Sequence, residues 1–350
     1  MCGIIGYIGK KKALPVILDG LRRMEYRGYD SAGIAILEQD RVFSEKEVGQ
    51  IGCLQEKIIN ADTHDGMRGI GHTRWATHGK VTWENAHPHT DCSGRIWLVH
   101  NGIVENYQEL KKELAALGHV FRSETDTEVL PHLIEEIGKN HPSMDFAEHV
   151  RHALLRVKGT YGIATMHASH PDVLIAARNF SPLLLGIGKD EYLIASDASA
   201  ILSHTDRVVY LDDGELAILT PDSRTIVNLQ NVRREKDTHT IEWSPELAEK
   251  KNYPHFMLKE IFEEPQAIEN SIRGRIMADT GLVKLGGLVD QEDIVRITKR
   301  ILIVACGTAY FAGRVGEYML EEYAGIPVEV DIASEFRYRK PVFRSGDLCL

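Results

Sequence analysis

The sequence predicts a layered α+β domain, and three observations carry that prediction. Apolar, strand-like runs open the chain, CGIIGYIG at 2–9 and AGIAIL at 32–37, flanking a helix around 13–25. A helical stretch then covers roughly 103–158 in pieces, broken at 118–123 and at His141-Pro142. A sheet-rich run follows: YGIATMHA, DVLIAAR, LLLGIG, EYLIAS, VVYLDDGELAIL and TIVNLQNV, each short and apolar between turn residues. Strands, helices and strands again imply sheets covered by helices, in a domain spanning 1–235.

Within that domain, Asp213-Gly214 marks a hairpin. The stretch 236–289 is polar, charged and proline-marked, and reads as an interdomain connection with helical content. From 290 the pattern changes to α/β. RILIVACGTAYFAGRVGEYMLEEYAG is strand, glycine turn and amphipathic helix, and IPVEVDIASEFR is a second strand with its follow-on. A second domain of under two strand units, 290–350, is too small to bury its own core, so the chain is expected to be part of a longer one.

Composition narrows the function classes. The 350 residues carry 41 Lys and Arg against 51 Asp and Glu, a net charge of -10, with no basic run longer than the three lysines at 10–12. Such a surface repels nucleic acid and anionic membrane, and neither is an expected partner. No apolar run approaches a bilayer span, and the opening run has no basic region before it, so a cytoplasmic address is expected. The five cysteines, Cys2, Cys53, Cys92, Cys306 and Cys349, are scattered with no CxxC pair, which is neither a disulfide framework nor a zinc motif. His72, His78, His87 and His89 match no common zinc spacing, so no metal is expected, and the candidate chemistry below implies no cofactor.

Four stretches carry candidate chemistry. Cys2 follows only the initiator methionine. Removal of Met1 would place a thiol and a free α-amine, of reference pKa ~7.7–8.0, on one residue, so that the amine can act as the thiol's general base. Otherwise Cys2 simply opens a buried strand. In GHTRWATHG (71–79), Arg74 either grips a carboxylate bidentately or is a surface arginine. In LVHNGIVEN (98–106), read as strand, Asn101-Gly102, then helix, the dipeptide is either a tight turn or an oxyanion hole made of the Asn amide and the Gly N–H. In SETDTEVL (123–130), Thr125 and Glu128 fit a capping box, and Asp126 is either a first-turn acid or a fixed carboxylate for an ammonium group.

Together, CGIIGY, EYRGYDSAG (25–33), GHTRWATHG and HNGIVEN, in that order, resemble the glutaminase domain of the class II glutamine amidotransferases, which belong to the N-terminal-nucleophile hydrolases. The resemblance covers about the first 235 residues and implies a four-layer αββα sandwich. It implies that Cys2 attacks the glutamine side-chain amide and that Asn101 and Gly102 form the oxyanion hole. Arg74 would hold the α-carboxylate and Asp126 the α-ammonium, Thr77 and His78 would line the pocket, and Trp75 would gate the exit of ammonia. Arg27 lies in a loop near the site.

The stretch NYPHFMLKEIFEEPQAI (252–268) resembles the hinge of the family branch whose acceptor is fructose 6-phosphate, and ILIVACGTAYFAG (301–313) resembles the start of its first sugar-isomerase (SIS) domain. Cys306, Gly307 and Thr308 would then bind the sugar phosphate at a helix N-terminus. Ala309 stands where many members have serine. The resemblance also implies dimerisation through the sugar domains, with the isomerase residues lying beyond residue 350. Two rival readings are another N-terminal-nucleophile amidohydrolase and a sugar-phosphate-binding regulator with an inactive glutaminase domain. Arg74 and Asp126 suit an amino-acid head group and speak against the first; Cys2, Asn101 and Gly102 speak against the second.

Overall fold

The computed structural model describes residues 2–39, 41–58, 63–76, 79–241, 253–277, 280–283, 285 and 291–350. Met1, Thr77, His78 and parts of the 236–289 connection lie outside the described residues. The chain divides into two compact units, Met1–Phe256 and Met257–Leu350.

The first unit is built on two antiparallel sheets. The larger contains β1 (Gly3–Gly9), β2 (Ser31–Glu38), β3 (Arg41–Val48), β4 (Arg68–Arg74), β9 (Leu184–Gly188), β10 (Glu191–Ala195), β11 (Arg207–Tyr210) and β14 (His239–Thr240). Its strand order is β14-β11-β9-β10-β1-β4-β2-β3. The smaller contains β5 (His89–Thr90), β6 (Ile96–Val104), β7 (Gly159–His167), β8 (Leu174–Asn179), β12 (Glu215–Leu219) and β13 (Arg224–Asn228), in the order β13-β12-β8-β7-β6-β5.

The two-residue period of a strand explains the layering. In β1, Ile5 and Tyr7 face one apolar cluster and Ile4 and Ile8 another. In β2, Ile34 and Ile36 join the first cluster, and Ala35 and Leu37 the second. The first cluster is closed by α1 (Ala13–Arg23) and α2 (Ile51–Lys57). The second lies between the sheets, where Ala164, Met166, Leu174 and Ala176 meet it from β7 and β8. The intervening residues Ile163, Ile175 and Ala177 face a third cluster, covered by α3 (Tyr107–Ala116), α4 (Val129–Asn140) and α5 (Phe146–Leu154). The result is the αββα sandwich. Each Ile or Leu buried in these layers stabilises the fold by ~1.5–3 kcal/mol.

Three local expectations are corrected. Asp213-Gly214 does not close a hairpin: β11 and β12 belong to different sheets, and the turn carries the chain from one to the other. Asn101-Gly102 is neither a tight turn nor a strand-to-helix junction. It lies inside β6, paired with Gly162 and Tyr161 of β7, and the next helix begins only at Tyr107. Gly102 has φ +139°, and a Cβ there would meet the Thr160 carbonyl oxygen at 2.1 Å, so only glycine fits. Finally, Glu128 makes no capping box with Thr125. Its carboxylate reaches back to accept from the backbone N–H groups of Arg122 and Ser123 at 2.8 and 2.7 Å.

In the second unit, strand Arg300–Ala305 lies between the parallel strands Val328–Ile332 and Asp347–Cys349. Helix Gly307–Ala324 is the crossover between the first two, as the strand–glycine–helix pattern predicts.

Candidate active site

The N-terminal strand positions Cys2 at its entrance. Gly3 is already paired with Thr73 of β4, so Cys2 sits beside the end of that strand. The Cys2 Sγ accepts the Trp75 backbone N–H at 3.2 Å. Burial pushes the thiol above its ordinary pKa, and the Trp75 N–H and the nearby Arg74 charge pull against that rise. The thiol is therefore mostly protonated at neutral pH and needs a base to become a nucleophile.

Asn101 comes to the same point from the other sheet. Its Nδ2 donates to the Cys2 carbonyl at 3.1 Å. Its Oδ1 lies 2.9 Å from His72 Nε2, which fixes the amide orientation. His72 belongs to a cluster of buried imidazoles, with the His87 ring 4.1 Å away and His89 4.7 Å beyond that. Burial lowers the His72 pKa to about 3 and those of His87 and His89 well below the usual value. A neutral His72 donates its Nε2 proton to the Asn101 oxygen, leaving the Asn101 amide hydrogens aimed at Cys2.

These rings make the fold acid-sensitive in a defined window. Their folded pKa values are depressed, so the unfolded chain takes up protons first as pH falls below ~6.5. Their contribution is complete above pH ~6.5 and is lost on the way down towards pH 3, at up to ~1.4 kcal/mol per pH unit for each ring. The urea midpoint is expected to fall between pH 7 and pH 5, where most carboxylates are still ionised. An unchanged midpoint would mean that the folded chain holds protons on these rings.

Arg74 is the last residue of β4, not part of the loop after it, and its side chain is buried. Its Nη1 donates to the Lys80 carbonyl at 3.1 Å. Burial lowers its pKa, and the charges of Cys2, Asp30 and Asp126 act in the opposite sense. Asp126 is buried in the loop before α4, where Oδ2 accepts the Val104 N–H at 2.7 Å. A cation and an anion thus lie within electrostatic reach of each other and of the thiol. Trp75 is 43% exposed at the rim, edge-on to the Tyr29 ring at 5.4 Å.

Four residues join the site that sequence reasoning left out or left open. Arg27 donates to the Cys2 carbonyl at 3.3 Å and is clamped by Asp197 at 2.6 Å. Asp30 accepts the Ala76 N–H at 2.8 Å and so ties down the chain after Trp75. Gly28 permits this crossing, because a Cβ there would stand 2.7 Å from the Arg74 carbonyl carbon. The signal for Arg27, Gly28 and Asp30 lay in EYRGYDSAG; Asp197 carries no local signal. In the second unit, Cys306, Gly307 and Thr308 are exposed at the N-terminus of helix Gly307–Ala324, with Gly307 at φ +59°.

A family model described as "Glutamine amidotransferase domain" matches residues 72–203. Along its whole length the chain is 49% identical to a Chlorobaculum tepidum protein named glutamine–fructose-6-phosphate aminotransferase [isomerizing]. The chain belongs to the glutamine amidotransferase family. A Thermus thermophilus protein of the same name is 47% identical, again over all of this chain. The chain spans little more than half the length of these curated relatives, 57% and 56%. A model described as "SIS domain" matches residues 294–350, so the amidotransferase domain is followed by the sequence of a sugar-isomerase domain.

Two solved structures show the amidotransferase fold. One is glutamine phosphoribosylpyrophosphate amidotransferase from B. subtilis, with a TM-score of 0.57 at 21% identity, covering 99% of this chain and 71% of that one. The other is the allosteric regulatory enzyme of purine biosynthesis, with a TM-score of 0.59 at 22% identity, covering 98% of this chain and 68% of that one. Among the described residues, no helix is long and apolar enough to cross a membrane.

Proposed function

We propose that this amidotransferase chain hydrolyses glutamine through Cys2, and that within a longer protein the ammonia passes to fructose 6-phosphate to give glucosamine 6-phosphate. The observation that carries the reading is the meeting of Cys2 with the Asn101 amide, beside a buried Arg74 and Asp126. The names of the relatives that match the chain end to end support the acceptor.

The chemistry begins once Met1 is removed. The α-amine of Cys2 takes the thiol proton, and sulfur adds to the δ-carbonyl carbon of glutamine. The oxyanion is stabilised by the Asn101 side-chain amide and the Gly102 N–H. The ammonium form of the amine returns its proton to the leaving nitrogen, the C–N bond breaks, and ammonia departs past Trp75. Water, deprotonated by the amine, attacks the γ-glutamyl thioester and releases glutamate and the thiol. Arg74 holds the glutamine α-carboxylate and Asp126 its α-ammonium, with Thr77 and His78 along the pocket. We assign residues 1–235 to the glutaminase, 236–289 to the connection and 290–350 to the start of the sugar-phosphate domain, with the phosphate at Cys306, Gly307 and Thr308. The same reading makes the longer protein cytoplasmic and homodimeric through its sugar domains.

Arg74→Ala tests the assignment. Loss of a charge-assisted bond of ~1.5–3 kcal/mol raises the glutamine KM roughly 10- to 150-fold. Alkylation of Cys2 by a small reagent is expected to keep its rate. Equal loss of both would make Arg74 a structural residue and overturn its role in binding glutamine.

A further inference from the structure

In the first unit, four side chains that the amidotransferase chemistry does not use converge on one point. Cys92 lies in the turn between β5 and β6, His119 follows α3, and His132 and Glu135 lie one turn apart on α4. Both histidine side chains are 1% exposed. The two Nδ1 atoms stand 3.2 Å apart. Cys92 Sγ is 3.6 Å from His119 Nδ1 and 3.4 Å from His132 Nδ1. Glu135 Oε2 is 3.3 and 3.7 Å from the same two nitrogens.

We propose that Cys92, His119, His132 and Glu135 form a structural zinc site. Around a tetrahedral zinc, with Zn–N and Zn–O of ~2.0–2.1 Å and Zn–S of ~2.3 Å, neighbouring ligand atoms stand about 3.3–3.6 Å apart. The five distances above fall on or within about 0.1 Å of that range. Without an ion, the arrangement is poorly satisfied. Each neutral imidazole has one ring proton, so a proton on one Nδ1 serves one of these contacts and leaves other lone pairs facing each other. A cation at the centre gives every inward atom a partner.

The surroundings fit a metal as well. The outward nitrogen of His119 meets Glu136 Oε2 at 3.1 Å, the carboxylate–histidine pairing that holds a ligating imidazole in the right tautomer. Among the described residues the outward nitrogen of His132 has no hydrogen-bond partner, and Glu128 Oε1 stands 3.8 Å away. Glu135 is fixed by the Cys92 N–H at 3.0 Å on Oε2 and by Lys139 at 2.9 Å on Oε1. Binding releases the Cys92 thiol proton, and one thiolate with one carboxylate neutralises the ion. Four protein ligands leave no open position, which makes the site structural. It ties the β5–β6 turn and the α3–α4 segment to α4, so it braces the loop that carries Asp126. No contiguous sequence signature exists, because the four ligands come from three segments joined only by folding; the sole local trace is the i, i+3 pair His132 and Glu135.

The test is metal content and cobalt spectroscopy on the whole chain. Purified without added metal, the chain is expected to hold close to one zinc per molecule. After chelation, cobalt(II) refills the site and gives an intense thiolate-to-cobalt absorption. Cys92→Ser, at an exposed position, is expected to fold, to lose that absorption and to drop zinc towards zero under the same chelation. Glu136→Gln keeps all four ligands and is expected to weaken zinc binding about 10- to 100-fold. Absence of zinc together with absence of the cobalt–thiolate band in a folded chain overturns the proposal. Full retention of zinc by Cys92→Ser also overturns it, because the metal would then sit elsewhere.

Discussion

A chain that keeps a residue ahead of Cys2 is expected to lose glutamine hydrolysis by about 10²–10⁴-fold, although its thiol is intact. The reason lies in two facts about one residue. The Cys2 thiol is pushed up by burial, so thiolate is scarce at neutral pH. Among the described residues, the hydrogen-bond partners of Sγ are the backbone N–H and carbonyl of Trp75, neither of them a base. The α-amine, which titrates near ~7.7–8.0, is the base at hand, and an added residue turns it into an amide. The comparison is made between the processed chain and one carrying a non-cleavable N-terminal extension, reading glutamate release and intact mass. Cys2→Ala, which removes the nucleophile, is expected to bring hydrolysis below detection. Full activity of the extended chain would mean that another group takes the proton.

Asn101→Ala has the second largest expected effect, a fall in kcat of about 10²–10³, equal to ~2.7–4 kcal/mol. The amide is preset before any substrate arrives. His72 holds its oxygen, and its nitrogen points to Cys2. A donor fixed in advance costs no reorganisation as charge develops on the carbonyl oxygen, so its loss falls on kcat and leaves KM nearly unchanged. Asn101 lies at the centre of a paired strand, and the truncation leaves that backbone pairing in place. An unchanged kcat would remove Asn101 from the oxyanion hole. A rise in KM alone would reassign it to substrate binding.

Much of this was legible because it is periodic or local. The short apolar runs at 3–9 and 159–167 and the apolar faces of α1, α4 and α5 need only neighbouring residues to be read. The order of CGIIGY, GHTRWATHG and HNGIVEN carried the candidate site. Strand β3, RVFSEKEV, escaped notice because it lies at the sheet edge, where few of its residues need be apolar. Asn101-Gly102 reads locally as a turn. Pairing with β7 overrides that preference, and the glycine is required by the Thr160 carbonyl that approaches it. Glu128 reads as a capping partner three residues after a threonine, yet backbone N–H groups upstream claim it. Convergences such as Cys92 with His119 and His132 join segments distant in sequence, which no window on one segment reveals.

The place of β1 in its sheet has a consequence for synthesis. Its two neighbours are β4 and β10, and the register joins Ile5 to Ala195. The first residues made therefore wait for nearly two hundred more before their second edge is covered. At ~5–20 residues per second, that interval is on the order of 10–40 s. Throughout it one edge of β1 stays uncovered, which on the proposed reading leaves time for Met1 to be removed before the strand is enclosed. On that reading the topology orders trimming before strand closure, and the proposed nucleophile is finished before the pocket that would use it.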